Sequence, residues 1–280
     1  MTDYLSHKYD LNDPAFASAF DELSFWSSRF GALLIDNIEL GKDLTLLDLG
    51  CGNGFPSFEL ANRLGASCHV AAIDIWREGL NRARSKQRFH KLANLSIIEA
   101  DGARMPFPDS TFDLIVSNVG LNNFADPQSV LAECRRVLRG GGSLYLTTNI
   151  KGHFAQFYDV LRRVLMETGQ PDQIDRLNAN ETHRGTRESI VELLTGAGFD
   201  IKRIIEKRFD MRFADGSAML NHFLVKLGFL DGWRGVVGPG DERAVFARVE
   251  ELLNEEAANI GELRMTVPML FVEAKKPDDR

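Results

Sequence analysis

The short apolar run Leu44-Thr45-Leu46-Leu47-Asp48-Leu49 gives way at once to glycines at alternate positions, Gly50, Gly52 and Gly54. A run this short and this apolar, bounded by glycine, predicts a buried strand. Glycine allows a tight turn and lets backbone approach a ligand with no Cβ in the way. Phe58 to Leu64 then reads as a helix that Gly65 ends. Strand, glycine turn and helix in that order is the first unit of an α/β rhythm.

The rhythm continues along the first half of the chain. His69 to Asp74 predicts a second strand, Arg77 to Leu92 a second helix and Leu95 to Glu99 a third strand. Phe112 to Ser117 is a fourth strand, opened by the turn-like Pro108-Asp109-Ser110. Pro127 starts a helix to Leu138, Gly140-Gly141-Gly142 stops it, and Ser143 to Thr148 is a fifth strand. Such alternation predicts a mostly parallel sheet with helices on both faces. Upstream, about residues 14–41, Phe16, Phe20, Phe25, Trp26, Phe30, Leu33, Leu34 and Ile38 fall near a helical period, giving one or two amphipathic helices.

Two stretches depart from a minimal α/β unit. One, about 151–184, is partly helical; the other, about 210–262, is rich in Phe, Leu and Trp and reads as mostly helical. Thr186 to Leu194 is a helix between them, Phe199 to Phe209 a sixth strand, and Met265 to Ala274 the last strand. Neither insert is long enough to fold separately, so residues 1–280 are expected to form a single domain.

Composition narrows the function classes. The chain is 44% hydrophobic and 26% charged, and no apolar run reaches the roughly 18 residues that a membrane span needs. Met1-Thr2-Asp3-Tyr4 has neither a basic start nor an apolar core, unlike a signal peptide. Cys51, Cys68 and Cys134 are too few and scattered for a disulfide framework or a metal site. Reduced thiols, a cytoplasmic location and no metal are the expectation. A formal charge of −7 argues against nucleic acid as partner. The local basic stretch from Arg82 to Arg88 is better explained as a polar helix face.

Charge also selects among ligands for the glycine turn. Its pattern is G-x-G-x-G, not the G-x-G-x-x-G of dinucleotide enzymes, and Ser57 and Phe58 offer no substitute glycine. No Gly-Lys-Ser or Gly-Lys-Thr is present to cradle a triphosphate. Asp48, at the strand end, would repel a pyrophosphate but suits the ammonium of an amino-acid moiety, directly or through water. Asp74, at the end of the second strand, can accept two hydrogen bonds from a ribose diol, a role common to nicotinamide and adenosyl cofactors. Asp101, in Glu99-Ala100-Asp101-Gly102, can accept from an adenine amino group. Asn118, where the fourth strand ends, is a candidate for contact with the reacting groups. Asn122 and Asn123 either orient substrate or cap the turn before Pro127.

These residues resemble the class I S-adenosylmethionine-dependent methyltransferases, in particular the methyltransferase type 11 group that includes ubiquinone and menaquinone C-methyltransferases. The resemblance covers about residues 30–150. Leu47-Asp48-Leu49-Gly50-Cys51-Gly52-Asn53-Gly54 is similar to the motif that holds the methionine part of the cofactor, and Asp74 to the ribose-binding acid, with Ile75 beside it. Asp101-Gly102-Ala103 matches the adenine-contacting position, followed by Met105-Pro106. Phe112 to Asn118 resembles the fourth-strand motif, and Val137 to Gly142 the turn before the fifth strand. The resemblance implies a Rossmann-like, seven-stranded, mostly parallel sheet whose last strand is antiparallel and inserted beside the sixth. It implies S-adenosyl-L-methionine as cofactor, S-adenosyl-L-homocysteine as product and a small-molecule methyl acceptor. Family members usually join the last two strands by a short turn, so the insert here is unusual, and the helical inserts are expected over the substrate side. Asn122-Asn123 stand where related enzymes often carry a histidine.

The family chemistry is in-line displacement at the sulfonium methyl, which needs alignment and exclusion of water more than a dedicated base. No catalytic residue is therefore assigned. His153, His222 and His183 are candidate bases, and Tyr158 and Arg184 candidate pocket residues beside Asn122 and Asn123. An NAD-dependent oxidoreductase and a noncatalytic S-adenosylmethionine-binding interaction protein remain the alternatives. The chain is either monomer or homodimer.

Overall fold

The computed structural model describes residues 4–6, 8–22, 25–238 and 240–278. It divides into two compact units. A sheet unit comprises residues 10–148, 187–206 and 269–280, and a helical unit comprises residues 1–9, 149–186 and 207–268.

The strands are β1 (Thr45–Leu49), β2 (His69–Asp74), β3 (Leu95–Glu99), β4 (Phe112–Asn118), β5 (Leu138–Asn149), β6 (Asp200–Phe213) and β7 (Leu263–Lys275). They form one sheet in the order β3-β2-β1-β4-β5-β7-β6. β1 pairs in parallel with β2 and β4, β2 with β3, and β4 with β5. Gly141 N donates to Lys276 O (3.0 Å) and Lys276 N donates to Gly142 O (2.9 Å), joining the start of β5 to the end of β7. Arg203 meets Glu273 at 3.1 Å and Arg212 meets Glu262 at 2.7 Å, one number falling as the other rises. β7 is thus the reversed strand, inserted beside β6, as the resemblance implies. The inner strands are mostly apolar because both faces are covered: Leu46, Leu47, Val70, Ala72 and Ile73 are fully buried.

Helices flank the sheet: α1 (Pro14–Glu22), α2 (Phe25–Ile35), α3 (Ser57–Leu64), α4 (Arg77–His90), α5 (Pro127–Val137) and, after the first insert, α8 (Arg187–Gly196). α5 buries Val130, Leu131, Cys134 and Val137, a single stripe at helical spacing. Its start is fixed by Pro127 in the first turn and by Asp126, whose side chain accepts from Gln128 N and Ser129 N.

Several boundaries differ from the sequence reading: β6 runs on to Phe213 rather than ending at Phe209, and the largest shift is at β5. β5 begins at Leu138, not Ser143, and the ladder with β4 jumps from Phe112–Leu138 to Leu114–Ser143. Arg139 to Gly142 bulge out of the strand, with Gly141 at φ 72°. A Cβ on Gly142 would lie 2.9 Å from Arg139 O and 3.1 Å from Asp113 O. Glycines that end a helix and glycines that let a strand bulge look alike in sequence.

Both inserts fall in the helical unit. The first forms α6 (Ala155–Glu167) and α7 (Ile174–Thr182); the second forms α9 (Gly216–Asn221), α10 (Phe223–Gly228), α11 (Leu230–Val237) and α12 (Glu242–Ile260). α12 turns Val245, Phe246, Val249, Leu252, Leu253 and Ala257 inward and packs on α6 and α9. Trp233 of α11 stacks on Phe157 of α6 with centroids 3.7 Å apart. Among the described residues no helix is long and apolar enough to cross a membrane.

Candidate functional site

Parallel register brings the C-terminal ends of β1 to β4 to one edge of the sheet, where open α/β sheets bind ligands. The glycine turn is anchored there by its own backbone. Gly50 N and Cys51 N both donate to Ile73 O, at 2.9 and 3.0 Å. Gly52 N donates to Asp74 Oδ2 at 2.8 Å, and Trp76 N to Asp74 Oδ1 at 2.8 Å. Asp74 is thus a strut between turn and strand, and each of its oxygens retains capacity for a further bond. Gly50, Gly52 and Gly54 all have positive φ (78°, 54° and 104°). At Gly52 a Cβ would meet nothing within 4 Å, so its glycine serves the backbone conformation.

Neighbouring strand ends close in on this turn. Gly50 lies against Gly120, whose Cα is 3.7 Å from the position of a Gly50 Cβ, and Ser117 Oγ donates to Leu49 O at 2.9 Å. Gly102 packs so tightly that a Cβ would stand 2.9 Å from Leu49 Cδ1. Val119, β-branched, has φ 63°, a strained conformation at the end of β4.

Asp48 is fully buried on β1. Ser57 Oγ, at the first residue of α3, donates to its Oδ2. Its Oδ1 is buried with no hydrogen-bond partner among the described residues, and so is Nδ2 of the neighbouring Asn53. Burial raises the Asp48 carboxyl to about 7, with Ser57 opposing and the Asp74 charge adding to the rise. Burial foremost, then Asp48 and Asp74, push the Cys51 thiol well up, so it carries no negative charge at neutral pH. A buried carboxyl oxygen short of a partner, with the Asp74 charge beside it, suits a cation and disfavours a pyrophosphate. These acceptor oxygens therefore fit the ammonium end of an amino-acid cofactor.

The remaining predicted residues are placed differently. Asp101 Oδ1 accepts from Ala103 N at 2.9 Å, closing its own turn at the end of β3. Asn118 is nearly buried and bonded at both ends: its Nδ2 donates to Ser27 O (3.0 Å) and its Oδ1 accepts from Thr147 Oγ1 (2.8 Å). It ties α2 to β4 and β5. Asn122 Nδ2 donates to Thr148 Oγ1 at 2.7 Å and Asn123 Nδ2 to Val119 O at 3.1 Å, holding the turn. Ile75, after β2, is 72% exposed.

His153, Tyr158, His183, Arg184 and His222 all lie in the helical unit. His153 and Tyr158 rings meet edge to face at 5.7 Å, whereas His222 contacts Phe213 at 5.4 Å. His183 is exposed at the end of α7. Burial, then Lys226, lowers the His222 pKa.

Sequence reasoning missed three contributors. Ser57 and Asn53 carry no signature of their own until the turn folds back on β1. Trp76 holds the end of β2: its Nε1 donates to Leu11 O (2.7 Å), and Phe16 and Phe20 of α1 pack on its ring at 6.0 and 5.5 Å. Its nearness to Asp74 in the sequence was the available clue.

Comparison with known proteins agrees with this arrangement. A family described as a methyltransferase domain matches residues 40–182. Demethylmenaquinone methyltransferase of Listeria welshimeri is 29% identical over 191 residues, 65% of this chain and 78% of that one. A ubiquinone/menaquinone biosynthesis C-methyltransferase of Psychromonas ingrahamii is 33% identical over 156 residues, 54% of this chain and 60% of its own length. The crystal structure of a SAM-dependent methyltransferase from Aquifex aeolicus has the same fold, with a TM-score of 0.54 at 22% identity, over 71% of this chain and 93% of that one. The glycine turn, its two aspartates and the strand order all fall within or around the matched residues, and the chain belongs to the methyltransferase-domain family, with the class I S-adenosylmethionine-dependent fold.

Proposed function

We propose that this protein binds S-adenosyl-L-methionine at the β1–β2 edge and transfers its methyl group to a small molecule by in-line displacement. The observation that carries the reading is the buried Asp48 Oδ1 without a partner, beside a glycine turn pinned to Asp74. In this reading Asp48 with Gly50, Cys51, Gly52 and Gly54 holds the amino-acid end. Asp74 and Ile75 hold the ribose, and Asp101, Gly102 and Ala103 the adenine. When bound, the cofactor supplies an electrophilic methyl on a sulfonium.

The chain's own part is positioning. The turn backbone, with no Cβ at Gly52, admits close approach. Asp48 keeps an acceptor ready for a cation in a place where water does not compete, and such an interaction is strong for that reason. Asn118 acts as a brace for the edge, since both ends of its side chain are bonded within the protein.

Calorimetric titration tests the reading. Wild type should bind S-adenosylmethionine and not NAD. Asp74→Ala should weaken binding by tenfold or more while the protein stays folded, and Asp74→Asn, which keeps one acceptor oxygen, by less. Equal affinity for NAD, or unchanged affinity in Asp74→Ala, contradicts it. Methyl transfer is then assayed on an acceptor panel beginning with demethylmenaquinone, the substrate named for the Listeria relative.

A further inference from the structure

The helical unit holds a positively charged cluster whose counter-charge is missing. Arg184 is half-buried at the end of the first insert. Its guanidinium carbon stands 5.8 Å from the centre of the Phe229 ring. Among the described residues, no carboxylate or carbonyl hydrogen-bonds to it. The acidic side chain nearest in sequence, Glu181, is taken by Arg162 at 2.8 Å. Burial pulls the Arg184 pKa below its ordinary value, with the nearby Tyr158 opposing. Tyr158 is itself occupied: its hydroxyl donates to Asn180 Oδ1 (2.8 Å) and accepts from Trp233 Nε1 (3.3 Å).

His153 supplies a second, independent observation. It is 1% exposed, and its Nδ1 is buried without a partner. Its ring lies 5.5 Å from Phe229, the ring that Arg184 also covers. Lys151 N donates to Gly185 O at 2.7 Å, which clamps the loop before His153 to the residue after Arg184. Burial foremost, then the nearby Arg184 charge, hold the imidazole neutral against an opposing backbone hydrogen bond at Ile150, so it adds no second positive charge to the cluster. A cation and an orphaned imidazole nitrogen, both set against the Phe229 ring, leave unsatisfied what one small anion would satisfy.

We propose that Arg184 and His153 form a binding site for a ligand carrying an anionic oxygen, as a carboxylate or a phenolate. Arg184 supplies the charge and His153 a neutral hydrogen-bonding nitrogen. The site concerns the helical unit alone and does not depend on where the cofactor binds.

Benzoate, 4-nitrophenolate and the uncharged methyl benzoate serve as probes in calorimetry and thermal melts of the full chain. At least one of the two anions should bind wild type about tenfold or more tightly than methyl benzoate; which one does so names the source of the oxygen. Arg184→Met should lose tenfold or more of that affinity, and Arg184→Lys should keep part of it. Without probe, Arg184→Met should melt no lower than wild type, because it removes a partly buried charge that no carboxylate meets. Failure of both anions to bind, equal binding of the neutral ester, or a probe-free melting temperature well below wild type overturns the proposal. A parallel titration of Arg184→Met with S-adenosylmethionine should match wild type. Absence of cofactor binding in wild type would contradict the methyltransferase reading and leave this one standing.

Discussion

Two buried titratable side chains, one in each unit, give stability opposite dependences on pH. Asp48 holds its proton to about 7 in the fold, against 3.8 for an ordinary aspartate. Between those values the folded state binds more protons than the unfolded one, so stability falls as pH rises through the window. His153 is lowered by burial from 6.5 to about 4. There the unfolded state binds more protons, and stability is lost as pH falls from 6.5 toward 4. Thermal melts of variants across this range separate the two. The stability of Asp48→Asn relative to wild type, read from the melts, should climb as pH rises from about 4 to 7, on the order of 3–4 kcal/mol in all. His153→Asn should show the reverse trend, its deficit relative to wild type shrinking toward low pH. A flat difference for Asp48→Asn would mean that the carboxyl is already ionised and satisfied. That Asp48 is an acid at the strand end beside the glycine turn was legible from its place before the glycines. Its partner Ser57 was not, because the pairing depends on the turn of the chain between them.

At the scale of elements, the strands were read nearly to the residue wherever both faces are buried. β2 matches its predicted bounds because a largely apolar run between breakers admits little else, and the edge strand β3, buried only at Leu95, matches as well. The start of β5 was misplaced because three glycines signal a loop and a bulge equally. The bulge makes a prediction: Gly142→Ala places a Cβ against two backbone oxygens, which cannot swing aside as a side-chain tip can. It should cost about 1–3 kcal/mol in urea denaturation. Gly52→Ala, with open space around its Cβ, should cost only about 1 kcal/mol from the positive φ. A larger loss at Gly52 than at Gly142 would contradict the close packing around the bulge. Asp126→Ala removes an acceptor from two backbone N–H groups at the start of α5 and should cost about 1 kcal/mol by the same measurement.

For the whole molecule, ligand linkage offers the broadest check. If the sheet unit binds S-adenosylmethionine only when folded, a concentration near 100 times Kd should add about 2.7 kcal/mol to its stability. Scanning calorimetry would read this as a raised melting temperature, with no matching rise from NAD. Hydrogen exchange should then slow first around residues 50–54. The sequence by itself determined the parallel sheet and the aspartates near the glycine turn, because these follow from local periodicity and short-range spacing, whereas the reversed last strand was implied only by the family resemblance. It also marked the two inserts as departures, from the interval between strands. Tertiary structure alone decided that Asn118 is a brace, that Ser57 meets Asp48, and that Arg184 and His153 share one aromatic cluster in which, among the described residues, no carboxylate bonds to Arg184. Those outcomes depend on which side chains from distant segments become buried together. Burial, not residue type, sets whether a polar atom finds a partner or is left waiting for a ligand.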